Sequence, residues 1–254
     1  MTINMNTQQE LQDGEYWFPY HYVSTYGGQF RHSFVDTWAI NYVSTIEFLL
    51  GKLGEQRSSR IVDIGCGDGR FSSELSRAFP QATVVGVDYS KRAVALATAM
   101  NPGIANLQFL SLDITNDTGL QPFDVAILME VFEHIPLADA ERFMSGVHSM
   151  LKPGGELLLT VPHENKPLEY KHYQHFSIAG ISKYLQREFR IVEVIPFERR
   201  HFARRLMSAL LSNRLFTLNS GRLLNAIYGW YKTSLFRCAS EAECQRVFVR
   251  AVAK

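Results

Sequence analysis

The sequence predicts an α/β fold built on a mostly parallel sheet with helices on both faces, and three observations carry that prediction. From about residue 60 onward, short and nearly continuous apolar runs alternate with stretches of helical spacing, the pattern of strands buried on both faces and joined by crossover helices. The first of these runs ends in a glycine-rich turn, "IVDIGCGDGRF" at 61–71. The chain has 254 residues, 46% of them hydrophobic, which suits one substantial core with an elaboration better than two independent domains.

Taken in order, the polar start "MTINMNTQQELQDGEYW" lacks the basic residues and apolar core of a signal peptide. Residues 16–53 are crowded with aromatics, and their second half has helical spacing that places Phe34, Trp38, Tyr42, Ile46 and Leu49 on one face, read as core packing. "RIVDI" (60–64) is a first core strand and "FSSELSRAF" (71–79) a helix. "ATVVGVD" (82–88) is a second strand, followed by the helix "SKRAVALATAM" (90–100) with Ser90 as its cap. "LQFLSLD" (107–113) and "FDVAILME" (123–130) are the third and fourth strands. The helix "ADAERFMSGVHSML" (138–151) stops at the turn "KPGG" (152–155), and "ELLLTVP" (156–162) is the fifth strand. In such a sheet ligands bind at the carboxyl ends of the strands, near the reversal of strand order.

A net charge of +1 argues against a dedicated nucleic-acid binder. The three cysteines (Cys66, Cys238, Cys244) are too few and scattered for a disulfide framework or zinc site, which fits a reducing cytoplasm. No run approaches the roughly 18 apolar residues of a membrane span.

The turn after the first strand spaces its glycines as Gly65-x-Gly67-x-Gly69, with Arg70 where a dinucleotide fingerprint has its third glycine. Asp63 and Asp68 place carboxylates beside it. Carboxylates repel a pyrophosphate but suit a ligand that carries an ammonium group and a sulfonium.

"VDIGCGDGRF", "VVGVDYS", "LSLDI", "FDVAILMEVFEHI" and "LKPGGELLLTVP" together resemble, in order and spacing, the motifs of class I S-adenosylmethionine-dependent methyltransferases, over about residues 58–195. The resemblance implies a Rossmann-like seven-stranded sheet with an antiparallel last strand. "FRIVEVIPF" (189–197) would be its sixth strand and "CQRVFVRAVAK" (244–254) its seventh. It implies S-adenosylmethionine as cofactor, held by Asp63, Gly65, Cys66, Gly67, Asp68 and Gly69. Asp88 would take the ribose hydroxyls with Tyr89 beside it, Asp113 and Ile114 the adenine, and Glu130 would border the cofactor. The expected division is an N-terminal segment and lid helix (1–57), a core (58–198 with 241–254) and an insertion (199–240). Tyr22, Tyr26 and Arg31 are read either as lid contacts to the acceptor or as packing.

After the fourth strand, "EVFEH" puts Glu130, Glu133 and His134 at or beside the pocket, and "KHYQHFS" supplies His172 and His175 later. An alcohol acceptor benefits from a base near neutrality, and His134 or His175 suits that role, with Glu133 positioning the acceptor and His172 behind them. The same residues admit a second reading, in which Glu130, Glu133, His134 and His175 hold a divalent metal. That set resembles small-RNA 3′-end 2′-O-methyltransferases, although the acidic and tryptophan residues accompanying the later histidine there are missing.

Residues 199–240 contain no Asp or Glu but carry Arg199, Arg200, Arg204, Arg205, Arg214, Arg222, Lys232 and Arg237. Phe202, Leu206, Leu210 and Leu211, and then Leu223, Leu224, Ile227 and Tyr231, recur at helical spacing, predicting two basic amphipathic helices joined near Asn219-Ser220-Gly221. They are read as a packed cap, a peripheral membrane contact, a homodimer interface, or a phosphate site in which Arg204 contacts the acceptor. The expected function is methyl transfer to a hydroxyl of a small-molecule, glycan or lipid-linked acceptor. A catalytically silent scaffold that binds the cofactor is the rival from another class.

Overall fold

A computed structural model describes residues 10–11, 14, 24–25, 31–32, 38–54, 60–116, 118–211, 215–216, 218 and 220–254. Nine strands are named in chain order, with their helices between them. A short antiparallel pair, β1 (Ser24–Thr25) and β2 (Arg31–His32), precedes helix α1 (Trp38–Leu53). Then come β3 (Arg60–Ile64), α2 (Arg70–Ala78), β4 (Thr83–Asp88), α3 (Lys91–Met100), β5 (Leu107–Ser111), β6 (Phe123–Met129), α4 (Ala140–Ser149) and β7 (Leu151–Pro162). The chain ends with α5 (Ile178–Leu185), β8 (Phe189–Arg199), α6 (Ala203–Leu211), α7 (Gly221–Ser234) and β9 (Cys244–Ala253).

Seven strands form one sheet in the order β5-β4-β3-β6-β7-β9-β8, parallel from β5 to β7, with β9 antiparallel to β7. Ile61, Val62, Val84, Val87, Ala126, Ile127, Leu128, Leu157, Leu158 and Leu159 are all essentially inaccessible. This is the burial on both faces that continuous apolar runs require. The strand order reverses between β3 and β6, so the loops after these two strands adjoin at the carboxyl edge. The expected sixth and seventh strands are β8 and β9, and β9 inserts between β7 and β8.

Local chemistry explains the helix starts. Ser90 accepts a hydrogen bond from the Ala93 amide at 3.2 Å and Ser177 one from the Gly180 amide at 3.3 Å, each satisfying an otherwise unpaired first-turn N–H. The "KPGG" turn does not precede the fifth strand but lies inside it. Phe123 pairs with Leu151 and Val125 with Glu156, so the turn is a bulge carried by Gly154 at φ 75°.

Cα packing separates the chain into two compact units. Met1–Phe18, Arg57–Ile195 and Arg246–Lys254 form the first, and Pro19–Gln56 with Pro196–Gln245 the second. In the second unit α1 buries Ala39, Ile40, Val43, Ile46 and Leu49, whereas Trp38 is exposed and stacks on Tyr42 at 4.6 Å. The apolar face is therefore turned away from the Trp38 side of the expected stripe. Phe34 lies outside the described residues. Phe48, Phe197 and Phe236 pack at 5.2–5.7 Å, and the Tyr231 hydroxyl donates to Asn41 Oδ1 at 2.6 Å. The two expected helices of the insertion are α6 and α7. They bury Ala203, Met207 and Leu211, and Leu224, Tyr228 and Tyr231, rather than Phe202, Leu206 and Leu223.

Candidate active site

The glycine turn is built by backbone geometry first. Gly65, Gly67 and Gly69 have φ of 73°, 55° and 80°, the left-handed region that a side chain rarely enters. A Cβ on Gly65 would stand 2.6 Å from Val131 Cγ2, so the turn after β3 packs directly on the segment after β6. A Cβ on Gly69 would stand 2.5 Å from the Phe109 ring. Asp88, at the end of β4, holds this turn in place: Oδ2 accepts from the Gly67 amide at 2.9 Å and Oδ1 from the Ser90 amide at 2.8 Å.

Asp63, fully buried on β3, accepts from Ser72 Oγ at 2.5 Å. Burial pushes its carboxyl up to about 7, against the Ser72 hydrogen bond and with help from the Asp88 charge. Asp68 is buried at the start of α2 and accepts weakly from the Arg70 amide at 3.4 Å. Burial, then the charges of Asp88, Asp63 and Asp68, push the neighbouring Cys66 thiol up, so it is no nucleophile.

Beyond Asp88 an open cleft of about 570 Å³ is lined by Tyr89, Ser90, Lys91, Arg92, Ser111, Leu112 and Asp113. Tyr89 is well exposed over it. Asp113 closes a turn by accepting from Thr115 Oγ1 at 2.7 Å and Asn116 Nδ2 at 2.9 Å, and the Thr115 hydrogen bond lowers its carboxyl below the usual range. Ile114 is buried, with its carbonyl against Gly146 of α4.

The segment after β6 opens on Glu130, a non-glycine residue at φ 58° whose amide donates to the Thr160 carbonyl at 3.1 Å. Arg246 Nε of β9 donates to Glu130 Oε2 at 2.7 Å. A 3₁₀ turn, Phe132–His134, follows, and the loop between β7 and α5 folds back onto it. The Tyr173 amide donates to the Glu133 carbonyl at 2.9 Å, and buried Phe132 stacks on Phe176 at 5.2 Å. These contacts bring His172 and His175, far along the chain, beside Glu133 and His134.

There Glu133, His134 and His172 each offer a ligand atom within 4.8 Å of the others. Hydrogen bonds fix the neutral tautomers. His175 Nδ1 faces the Lys166 carbonyl at 3.0 Å, so it carries the proton and Nε2 is a lone pair. His172 Nδ1, 2.8 Å from that Nε2, must be the donor, which leaves a lone pair on His172 Nε2. His134 Nδ1 faces the Lys171 carbonyl at 3.3 Å, which likewise puts the lone pair on Nε2. Burial, then His134, push His172 down to about 3, and burial lowers His175. Burial and the Glu130 charge raise the Glu133 carboxyl. Glu133 is 1% exposed and its Oε2 has no hydrogen-bond partner among the described residues.

The structure thus gathers Glu130, Glu133, His134, His172 and His175 on one side of the glycine turn. Both ring nitrogens of His175, expected as a base, are engaged, by the Lys166 carbonyl and by His172 Nδ1. Glu130 is held by Arg246, and His172 takes the place in the cluster expected for His175. Arg204 is ion-paired with buried Glu198 in the second unit. Tyr22 and Tyr26 lie outside the described residues, and Arg31 stands in β2, whose side chains do too. Sequence reasoning missed Arg246; its signal was a cation set among the apolar residues of "CQRVFVRAVAK".

A parallel sheet with this reversal point, a left-handed glycine turn and acidic residues after β3, β4 and β5 defines a nucleoside-binding α/β enzyme frame. The family pattern described as "Methyltransferase domain" matches residues 38–194. The chain belongs to the class I S-adenosylmethionine-dependent methyltransferase family. It is 35% identical over 108 residues to trans-aconitate 2-methyltransferase of Deinococcus radiodurans, covering 42% of this chain and 40% of that one. It is 33% identical over 131 residues to a ubiquinone biosynthesis O-methyltransferase of Rhizobium leguminosarum, covering 50% and 49%. The chain spans about half the length, or less, of these curated relatives. In fold it resembles magnesium protoporphyrin IX methyltransferase from Synechocystis, solved with bound S-adenosylmethionine, at TM-score 0.61, 18% identity and full coverage of both chains.

Proposed function

We propose that the protein transfers a methyl group from S-adenosylmethionine to a hydroxyl oxygen of a small-molecule, glycan or lipid-linked acceptor. The residues present fit that cofactor: Asp63, Asp68 and Asp88 suit a cationic ligand, the turn at 65–69 supplies a close backbone, and the cleft at Tyr89–Asp113 has room for a base. Bound there, the cofactor supplies an activated methyl group for direct in-line displacement. The chain's own contribution is orientation and electrostatics, which methyl transfer mainly needs.

One observation carries the choice of a hydroxyl. The cluster of Glu133, His134 and His172 offers lone pairs and a carboxylate, and it sits on the segment whose Val131 touches Gly65. A site rich in acceptors receives an O–H group and draws off its proton. Calorimetry tests the cofactor half: the purified chain should bind S-adenosylmethionine, and Asp88→Ala, which frees two turn amides, should weaken binding at least tenfold. Equal affinity in the variant would refute the assigned site.

A specific surface favours a lipid-linked acceptor. In the second unit Phe202, just before α6, and Leu206 on it are 71% and 64% exposed, and Leu223 and Trp230 on α7 44% and 42%, with Arg205 and Arg222 also exposed. An exposed apolar face with arginines suits an anionic bilayer surface. No described helix is long and apolar enough to cross a membrane.

A further inference from the structure

We propose that Arg246 is a positioning residue for methyl transfer: it holds the Glu130 carboxylate so that Oε1 accepts a hydrogen bond from the acceptor's hydroxyl. Three separate features of Glu130 point to a working side chain. Its backbone lies at φ 58°, in the left-handed region that residues with a side chain rarely enter, and such strain concentrates at functional sites. One carboxylate oxygen, Oε2, is fixed at 2.7 Å by Nε of Arg246, whose side chain is only 9% exposed. The other, Oε1, is shut off from solvent and has no hydrogen-bond partner among the described residues. A charged oxygen in that state is unfavourable until a donor reaches it, and a bound hydroxyl is such a donor.

The pair stands at the carboxyl edge of the sheet, next to the glycine turn. Glu130 follows Met129, the last residue of β6, and precedes Val131, whose side chain packs on Gly65. Its amide is held by the Thr160 carbonyl of β7 at 3.1 Å. Arg246 of β9 lies opposite Pro162 of β7, so its side chain reaches across the end of β7 to Glu130. Three neighbouring strands thus fix one carboxylate. Stability alone does not call for such a pair, because apolar residues of similar volume commonly replace a buried ion pair without loss. The turn itself is held by the Glu130 amide and needs no charge. Direction is what methyl transfer asks of the protein, since the attacking oxygen must line up with the methyl group and the sulfur. The role rests on the hydroxyl-acceptor reading proposed above.

The test uses the purified full chain, methyl-labelled S-adenosylmethionine and the fraction of source-cell extract that takes up label, diluted in steps to separate maximal rate from half-saturation. Cofactor affinity is measured by calorimetry, and folding by thermal melts, on the same variants. In Glu130→Gln the amide oxygen stays with Arg246 and the NH2 group faces the acceptor, a donor where an acceptor is needed. That variant and Arg246→Met should each lose maximal rate about 10–100-fold, the worth of a hydrogen bond to a charged group, with cofactor affinity unchanged. Arg246→Lys, which keeps a cation but not the planar guanidinium, should recover part of the rate. An unchanged rate in either of the first two variants would overturn the proposal. So would a loss of cofactor affinity as large as the loss of rate, which would put Glu130 on the cofactor. A melting temperature that falls in Arg246→Met and returns in Arg246→Lys without any return of rate would make the pair structural, and also overturn it. A wild type that binds the cofactor but labels no fraction would instead refute the proposed function, and the role of Arg246 with it.

Discussion

Asp63 on β3 and Asp88 on the adjacent β4 have different partners. Asp88 has two backbone donors that stabilise its charge, whereas Asp63 is buried with one hydroxyl donor and sits at about 7. Because the folded value lies above the ordinary 3.8, the protonated form stabilises the fold. That contribution is complete below pH 4 and is lost as pH rises through 7. Asp63→Asn, which stays neutral, should therefore gain stability over the wild type between pH 5 and pH 8, by about 2 kcal/mol. Thermal melts at the two pH values check this; a difference that stays constant with pH would contradict it. The glycine turn and the acidic residues near the strand ends were legible as structural positions because they follow strands at fixed spacing. The roles within "KHYQHFS" were not, since spacing alone cannot tell which histidine faces Glu133. The Lys166 and Lys171 carbonyls decide that, and no side-chain pattern marks a carbonyl.

Strands were easier to read than helix faces. An apolar run buried on both faces declares itself, and β3, β4 and β6 fall within a residue of their expected limits. A helix in an aromatic-rich segment has more than one apolar face, and α1 buries Ile40 and Val43 in place of Trp38. In α6 and α7 the same ambiguity leaves Phe202, Leu206, Leu223 and Trp230 outward, which is the basis of the proposed bilayer contact. Replacing these four by serine should abolish sedimentation with vesicles rich in phosphatidylglycerol at low salt, while cofactor affinity is retained. Failure of the wild type to sediment, or equal sedimentation of the variant, would refute the contact.

At the level of the complete chain, the basic insertion gave a misleading impression of isolation. Its acidic partners come from sequence far away or just outside it: Lys232 bonds Glu47 at 2.8 Å, Arg199 bonds Glu243 at 2.8 Å, and Arg204 pairs with Glu198. The Lys232–Glu47 pair and the Tyr231–Asn41 hydrogen bond tie α1 to the insertion within one unit that composition alone did not foretell. The parallel part of the sheet was legible because strand–helix alternation marks parallel strands joined by crossover helices.

The central claim is methyl transfer to a hydroxyl oxygen at the Glu133–His134–His172 cluster. The most direct measurement incubates the purified protein with methyl-labelled S-adenosylmethionine and a fractionated extract of its source cells, then tests the labelled product with alkali. Transfer into an alkali-resistant ether, present with the wild type and lost with His172→Ala, is the predicted result. Label in an alkali-labile ester or an amine, or transfer that His172→Ala leaves unchanged, would contradict the account.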